Sequence, residues 1–352
     1  MDASVYDAAL TGAVAVVRED RGVVRVWGRD PVRMLHGLAS NDVQSLVPGR
    51  SVYATLLTPK GRMIADPRII RRTDDLLLEA DRAAVPGILE MFGRSVPPLF
   101  ARAEDASDAL CMVGVYGPSS ADVVARVVGT TAPAAVSAGD DSAAGSADGG
   151  DRDAGTVLSA LAIDNSVAGS FGGEEVIVLR TDRAGVDGRE IVVACNRKDA
   201  LRDALLGEGA VPGDTDTLEV LRVEAGSARW GAELTGEVIP LEAGLKERAI
   251  STTKGCYTGQ EVIIRILHRG HVNRHLRGLV LSAPAAPGDE LFHPDIRAGK
   301  PLGAITSTVS SPRLGPIALA YVRREAEPGT EVQVGTPAGP PARVVALPFQ
   351  FA

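Results

Sequence analysis

The segment that decides the fold is Lys254-Gly255-Cys256-Tyr257-Thr258-Gly259-Gln260-Glu261, which is followed by a basic stretch. Thr258 and Glu261 have the spacing of a capping box, and apolar residues then recur at helical spacing. We therefore predict a helix over residues 259–269 that ends at Gly270 in a left-handed cap. Cys256 precedes this helix and lies two residues from Lys254, so positive potential from both would favour its thiolate. The sequence predicts a reactive thiol; the alternative is an inert cysteine that fills a small apolar space.

Composition limits the class of protein. A chain of 352 residues with 45% hydrophobic and 4% aromatic residues has enough apolar side chains for two or three domains. No apolar run reaches the ~18–20 residues of a membrane span, and the first residues lack the pattern of a signal peptide. Three widely spaced cysteines indicate neither a disulfide framework nor a metal knuckle, which favours a reducing cytoplasm. A net charge of −8 argues against stable nucleic-acid binding.

Periodicity and turn signals predict a mixed α+β fold rather than a doubly wound sheet. No glycine-rich phosphate loop follows a strand, so a nucleotide fold is not indicated. Predicted helices cover residues 31–38, 83–92, 121–128, 198–206 and 217–224. Predicted strands cover residues 22–27, 53–57, 63–70, 76–79, 111–116, 157–163, 175–180 and 190–194. After His275, short strands separated by Pro/Gly turns suggest a small barrel at residues 278–281, 303–309, 317–322, 331–334 and 342–346.

Residues 129–155 are rich in Ala, Gly, Ser and Asp and almost lack large apolar side chains. Such a tract cannot bury enough surface to offset the entropy of ordering, so we predict a flexible insertion. The resulting division is an N-terminal α+β module at 1–108, a second module at 109–274 that contains the insertion, and a C-terminal barrel at 275–352.

The segment from Lys254 to Glu261 resembles the KGCYxGQE signature of the folate-binding YgfZ-type proteins, which are related to the glycine-cleavage T-protein (aminomethyltransferase). The resemblance extends over nearly the whole chain. Its other parts are residues 26–42, 53–66, 222–226, Gly231, 239–245 and 315–321. It implies two interleaved α+β modules around a central cavity, with a C-terminal β-barrel beside them. The long tract at 129–155 departs from the family but falls in a variable connection.

The resemblance also implies a function: a tetrahydrofolate-binding cytoplasmic protein that assists assembly or repair of iron–sulfur clusters in client proteins, with a link to tRNA modification. Cys256 would be the functional thiol. One cysteine cannot alone hold a cluster that ordinarily takes four ligands, so any cluster would be shared or transient. The rival interpretation is a folate-dependent aminomethyltransferase or demethylase that relies on Asp66. A third is a non-catalytic adaptor that binds its client through the basic helix.

Particular residues follow from the resemblance. Glu190 matches the carboxylate that accepts from the pterin N–H donors; the alternative is a solvated strand glutamate. Asp66 matches the carboxylate near the reacting folate nitrogens; the alternative is a turn residue before Pro67. Tyr53 would stack on the ligand or pack in the core. Arg222 would contact the ligand or pair with Glu224 on its own helix. Lys254 and Tyr257 of the signature complete the predicted folate-binding set.

A run of basic residues without an intervening acid follows the signature; its members are Arg265, His268, Arg269, His271, Arg274, His275 and Arg277. It is either a solvated face or a groove for an anion, such as a folate polyglutamate tail or an acidic partner. The ligand types do not fit zinc. A Cys256–His hydrolase lacks any visible oxyanion-hole pattern. The central hypothesis is a carboxylate-lined pterin cavity within reach of the Cys256 thiol.

Overall fold

The computed structural model describes residues 2–130 and 153–350. The helices are α1 Ala3–Thr11, α2 Pro31–Leu38, α3 Val85–Ser95, α4 Ser120–Val127, α5 Ala154–Ala160, α6 Lys198–Gly207, α7 Thr215–Glu224, α8 Lys246–Ala249 and α9 Gln260–Arg269. The strands of the first two modules are β1 Val14–Val17, β2 Arg21–Trp27, β3 Ser51–Tyr53, β4 Leu56–Leu57, β5 Met63–Ala65, β6 Arg68–Arg71, β7 Asp75–Asp81, β8 Arg102–Asp105, β9 Leu110–Tyr116, β10 Gly129–Thr130, β11 Ser166–Phe171, β12 Glu174–Thr181, β13 Gly188–Ala194 and β14 Val211–Pro212. Those of the C-terminal part are β15 Arg274–Leu281, β16 Glu290–Phe292, β17 Gly303–Ser311, β18 Gly315–Arg323, β19 Glu331–Val334 and β20 Pro341–Val345.

Two large sheets, a two-stranded sheet of β4 and β5, and a barrel form the described architecture, which confirms the predicted mixed α+β class with a C-terminal barrel. The first sheet has the order β3-β6-β7-β2-β8, and the second has the order β10-β11-β12-β13-β9-β1-β14. Strand β1 precedes the whole first sheet in the chain but pairs with β9 and β14 of the second. The two modules are therefore interleaved. The C-terminal strands close into a barrel in the order β15-β18-β17-β16-β19-β20.

The two sheets pack face to face through an apolar layer. Its buried members come from both sheets: Val23, Ile70, Leu77, Met112, Ile177, Leu179 and Val192. Helices α2 and α3 cover the outer face of the first sheet with Leu35, Leu38, Ile88 and Phe92. Helices α4, α5 and α6 cover the outer face of the second. The burial of both faces of each sheet explains why strands such as β7 are buried along their whole length.

Residues 157–163, predicted as a strand, lie instead in and after helix α5. The apolar side chains there follow helical spacing: Leu158 and Leu161 are both buried, in the core that also contains Val123 and Val124 of α4. A short apolar run cannot distinguish a strand from a buried helix by periodicity alone. The prediction of a flexible tract at 129–155 lies almost entirely outside the described residues; those inside them are β10 and the start of α5.

Both caps predicted for the signature helix are wrong, although its extent is confirmed. Gly259, not Thr258, is the N-cap residue of α9, with a φ of 83° and no side-chain cap. A Cβ atom on Gly259 would lie 2.6 Å from the carbonyl oxygen of Thr58, so the close approach of the hairpin turn requires glycine there. Gly270 has an extended backbone, with φ −141° and ψ −165°. Tertiary contact, rather than the local capping pattern, sets the helix start.

The cysteine prediction is also wrong, because Cys111 and Cys195 form a disulfide. Their 84-residue separation hid the pairing in the sequence. Cys111 on β9 is opposite Val193 on β13, and Cys195 comes directly after that strand. Antiparallel pairing therefore brings the two Cα atoms to 4.8 Å. Cys256 is free and exposed.

Candidate functional site

A cluster of buried charges adjoins the apolar layer between the two sheets. Side chains two residues apart on a strand share a face, so each charge continues the row of an inward-facing apolar residue. The pairs related in this way are Arg21 with Val23, Arg68 with Ile70, Glu79 with Leu77, and Glu190 with Val192. Strand alternation thus brings two arginines of the first sheet against a glutamate of the second.

Glu190 is buried, as predicted, but its oxygens already accept hydrogen bonds within the protein. Oε1 accepts from Arg18 Nη1 at 2.9 Å and from the Tyr116 hydroxyl at 2.5 Å, and Oε2 accepts from Arg68 Nη2. Burial opposes ionisation, but the Arg68 and Arg18 guanidinium groups outweigh it and lower the pKa of Glu190. Glu190 is therefore an ionised carboxylate that the chain itself largely satisfies.

Glu79 holds two arginines at once. Its Oε1 accepts from Arg21 Nε, and its Oε2 accepts from Arg68 Nε at 2.7 Å. Those guanidinium groups overcome the effect of burial and hold the pKa of Glu79 well below its usual range. Two donor nitrogens of the same arginines, Arg21 Nη2 and Arg68 Nη1, are buried without a hydrogen-bond partner among the described residues.

A cavity of about 330 Å³ opens beside this cluster. That volume is at the lower end of the ~300–1,000 Å³ typical of small-molecule sites. Ionisable side chains from both modules line it together with Tyr116, Leu218 and Trp230. They are Arg18, Asp20, Arg21, Arg68, Arg183, Glu190, Asp216, Glu219, Arg222 and Arg229. Glu190 and Arg222 therefore line the same cavity.

Asp66 does not line the cavity itself but accepts from Arg183, which does, and it is almost completely buried, with 2% exposure. Its Oδ2 accepts from the Tyr53 hydroxyl at 3.0 Å and from Arg183 Nη2 at 3.3 Å, and Arg183 also lines the cavity. Its Oδ1 has no hydrogen-bond partner in the described parts of the chain. A buried carboxylate oxygen of this kind is costly unless a ligand or solvent satisfies it, so Asp66 is the strongest candidate for a ligand contact.

Tyr53 is buried between two cations. Arg183 lies over its ring at 4.4 Å from the centroid and Arg248 at 5.5 Å. Burial and the neighbouring Asp66 carboxylate raise the pKa of Tyr53, so its hydroxyl remains a donor to Asp66. Tyr53 therefore contacts two arginines through its ring and supports Asp66 through its hydroxyl, and it is not among the residues that line the 330 Å³ cavity.

Arg222 is mainly a structural residue, and its predicted pairing with Glu224 does not form. Arg222 binds Glu219 and Glu233, and donates to Ser307 Oγ of the barrel at 2.8 Å. Glu224 instead accepts from Tyr6, Ser311 and Arg313. Arg222 lines the cavity while joining helix α7 to strand β17 of the barrel.

Lys254 anchors the signature loop. Its Nζ donates to the carbonyl oxygens of His36 at 2.5 Å, Ala39 at 2.6 Å and Asn41 at 3.2 Å. These carbonyls surround the C-terminal end of α2, where a cation is favoured. An ammonium group has three donors, and all three are used, so Lys254 has none left for a folate. Burial lowers the pKa of Lys254 to about 8.

The rest of the loop divides into a buried anchor and an exposed thiol. Tyr257 is packed in the core that contains Leu57, Met63 and Ile263, and burial raises its pKa to about 12. Thr258 donates its backbone N–H to the carbonyl of Gly37 at 3.1 Å. Between these anchors, Cys256 is exposed and does not line the 330 Å³ cavity.

A short turn after α2 connects the loop to the cavity edge. Its carbonyls at Ala39 and Asn41 bind Lys254, and the Asn41 amide donates to the Tyr53 carbonyl at 2.9 Å. Ser40 Oγ donates to the Ala249 carbonyl and accepts from the Thr55 backbone N–H. The thiol loop and the Tyr53–Asp66 pair are therefore fixed to the same four-residue turn.

The basic run is partly neutralised in the structure. Arg265 pairs with Glu261, and Arg274 pairs with Glu242. His268, Arg269 and His271 are exposed. Within residues 2–130 and 153–350, no hydrogen bond or ion pair joins Cys256 to a histidine, and no group of three or more metal-ligating side chains occurs.

Comparison with known proteins identifies two parts of the chain. Residues 18–138 match the model of the GCVT N-terminal domain, and residues 274–350 match that of the glycine cleavage T-protein C-terminal barrel domain. An aminomethyltransferase of Rubrobacter xylanophilus is 30% identical over 329 residues, covering 93% of this chain and 80% of the relative. The chain belongs to the glycine-cleavage T-protein family.

Other members agree with this assignment. An aminomethyltransferase of Saccharopolyspora erythraea is 29% identical and covers 99% of this chain and 89% of that protein. A putative chloroplastic transferase of Arabidopsis thaliana is 27% identical, covering 95% of this chain and 71% of that protein. Aminomethyltransferase T from Bartonella henselae shares the fold, with a TM-score of 0.79 at 21% identity over 99% of this chain and 89% of the other.

Sequence reasoning missed most of the arginines that line the cavity. Arg18 and Arg21 come from the β1–β2 connection and the start of β2, Arg68 and Arg183 from two other segments, and none belongs to a motif. The signal that could have found Arg21 and Arg68 is their position in strand alternation, where a charge occupies an inward-facing place.

Among the described helices, none combines the length and apolar character needed to cross a membrane.

Proposed function

We propose that this T-protein family member binds a reduced folate in its central cavity and uses the Cys256 thiol to assist assembly or repair of iron–sulfur clusters in client proteins. The observation that carries the proposal is the geometry of the signature loop. Cys256 is exposed, while Lys254 on one side is half-buried and held by three carbonyls, and Tyr257 on the other side is buried. An exposed cysteine held between two anchors is suited to contact another protein.

The folate part of the proposal is supported by the cavity beside Asp66. Folates have a pterin ring with adjacent N–H donors and ring nitrogens that carry one-carbon groups. The unpartnered Oδ1 of Asp66 offers a buried acceptor for such a group, and Arg183 connects Asp66 to the cavity lining. The relatives named aminomethyltransferase belong to the same family, which supports a folate ligand here.

The thiol part follows from exposure and isolation. The other two cysteines are joined in a disulfide, which leaves Cys256 as the free thiol of the chain. A single thiolate supplies one of the four ligands that a cluster ordinarily takes, so a client or donor protein would supply the others. The exposed basic residues His268, Arg269 and His271 on and after α9 would favour an acidic surface on that partner.

A second candidate is a folate-dependent aminomethyltransferase or demethylase that uses Asp66. The specific observation in its favour is again the unpartnered Oδ1, which is positioned by Tyr53 and Arg183 as a catalytic carboxylate would be. In that case Asp66 would hold a proton or stabilise positive charge at a folate nitrogen. The signature loop would then have only a structural role.

Substitution of the thiol and the carboxylate separates the two candidates. We expect Cys256→Ala to abolish support of iron–sulfur enzymes in cells while tetrahydrofolate affinity, measured by calorimetry, changes less than about threefold. Thr252→Ala, an exposed neighbour in the same segment, is the matched control. Full cellular activity of Cys256→Ala would contradict the thiol role.

Asp66→Asn tests the second candidate. If the protein is not a transferase, this variant keeps most of its cellular function. Complete inactivation with retained tetrahydrofolate binding would favour the transferase instead. Asp74→Asn, an exposed aspartate after β6, controls for a general effect of removing a carboxylate.

A further inference from the structure

Two of the arginine side chains that line the cavity each carry a buried nitrogen that could donate to a ligand. Arg21 Nη2 and Arg68 Nη1 are buried, have no partner in the part of the chain that the structure describes, and belong to side chains that line the cavity. A buried N–H group without a partner costs about 1–3 kcal/mol, so such donors mark a place for an acceptor atom.

The carboxylates at the same end are engaged. The two oxygens of Glu79 accept from Arg21 and Arg68, and those of Glu190 accept from Arg18, Tyr116 and Arg68. The resemblance of the chain to folate-binding proteins predicted that Glu190 receives the N–H donors of a pterin. Its contacts here instead fix Arg68, so the nitrogens that remain without a partner belong to the two arginines and not to the carboxylates.

We propose that the ligand presents hydrogen-bond acceptors, and not donors, to Arg21 and Arg68. Resting on the proposed folate function, this assigns the C4 carbonyl oxygen of a 4-oxopteridine to the arginine pair. A 4-amino group at that position would place N–H donors against guanidinium donors. The cavity therefore selects 4-oxopteridines over 4-aminopteridines.

A site that donates hydrogen bonds to C4 and a site that accepts them predict opposite preferences between 4-oxo and 4-amino ligands. Folic acid and its 4-amino-4-deoxy analogue, aminopterin, differ at C4, and the amino compound has a more basic ring that carboxylates bind well. If Glu190 receives the donor edge, aminopterin binds as tightly as folic acid or more tightly. If Arg21 and Arg68 receive the C4 oxygen, folic acid binds more tightly, because a site built for an acceptor rejects an analogue that lacks it.

The experiment is titration calorimetry of the full-length protein with tetrahydrofolate, folic acid and aminopterin. We expect folic acid to bind at least about tenfold more tightly than aminopterin. Equal affinity, or tighter binding of aminopterin, would overturn the assignment while tetrahydrofolate binding upheld the proposed function. Failure of all three to bind would overturn the folate function itself.

Arg21→Lys identifies the residue responsible. Lysine retains the positive charge opposite Glu79 but lacks the second N–H arm of the guanidinium. We expect the preference for folic acid to fall to about threefold or less, with aminopterin affinity unchanged. Arg25→Lys, on the same strand with a largely exposed side chain paired to Asp75, should retain the wild-type preference. If Arg21→Lys folds and keeps the wild-type preference for folic acid, the assignment is contradicted. If that variant does not fold, the ratio of folic acid to aminopterin affinity of the wild-type protein tests the assignment.

Discussion

The charged end of the cavity and the signature loop hold their basic residues in different ways. In the cavity, Arg21 and Arg68 are buried against Glu79 and Glu190, and carboxylates balance their charge. In the loop, no carboxylate of the described residues lies within hydrogen-bonding distance of Lys254; three backbone carbonyls at the end of α2 hold it. The difference shows that the cavity depends on ion pairs between distant strands, whereas the thiol loop depends on hydrogen bonds from Lys254 to uncharged carbonyls and on the burial of Tyr257.

The largest effect is expected from Arg68→Met. This change leaves Glu79 and Glu190 buried with one fewer cation each, and breaking a buried ion pair from one side costs about 3–5 kcal/mol. Urea unfolding measures the loss. Arg265→Met, which removes an exposed pair with Glu261, should cost less than about 0.5 kcal/mol. A loss below about 1 kcal/mol at Arg68 would show that the ion pairs between the sheets do not hold the cavity together.

The second largest effect is a loss of stability at low pH, which we expect from the carboxylates of the cavity and not from the loop. The pKa values of Glu79 and Glu190 are lowered in the folded protein, so the folded state binds fewer protons than the unfolded state below the ordinary glutamate value of 4.5. Their stabilisation is fully present above that pH and is lost as pH falls further. Unfolding free energy measured from pH 7 to pH 3 should therefore decrease most steeply below pH 4.5. A flat profile there would contradict the shifts.

A smaller effect is expected from Lys254→Met. Loss of three hydrogen bonds to backbone carbonyls should cost about 1–3 kcal/mol and loosen the loop. Limited proteolysis and the rate of Cys256 modification by a disulfide reagent report the loosening. Lys60→Met, at an exposed position in the neighbouring hairpin turn, is the control. If the thiol rate and the cleavage pattern remain those of the wild type, Lys254 is not the anchor.

The smallest effect is expected at Arg269 of the basic run. Arg274→Glu, by contrast, leaves the buried Glu242 without its partner and places a second carboxylate beside it, so it should cost about 1–3 kcal/mol. Arg269→Glu, at an exposed residue, should change stability by less than about 0.5 kcal/mol. The two variants differ in stability but should weaken an acidic partner similarly. If the wild type and both variants bound the acidic partner equally at low salt, the basic run would be a solvated face and not a binding surface.

Local patterns predicted much of the secondary structure. Helix α2 begins at Pro31 after Asp30, and the strands of the barrel lie near the predicted positions, because proline, glycine turns and apolar alternation act within a few residues. The failures have a common origin. Gly259 caps α9 because the hairpin at Thr58 lies against it, and residues 157–160 belong to helix α5 because α4 offers a partner for its apolar side chains.

For the site, the sequence by itself determined the signature, the free thiol at Cys256 and the carboxylates Asp66 and Glu190 as candidates. Tertiary structure decided what each of them faces. Arg18 and Arg68 are about 120–170 residues from Glu190 in the chain, and Lys254 is more than 200 from its carbonyl partners. Strand pairing and sheet packing bring these groups together, and the charge balance of a buried site depends on neighbours that local sequence does not specify.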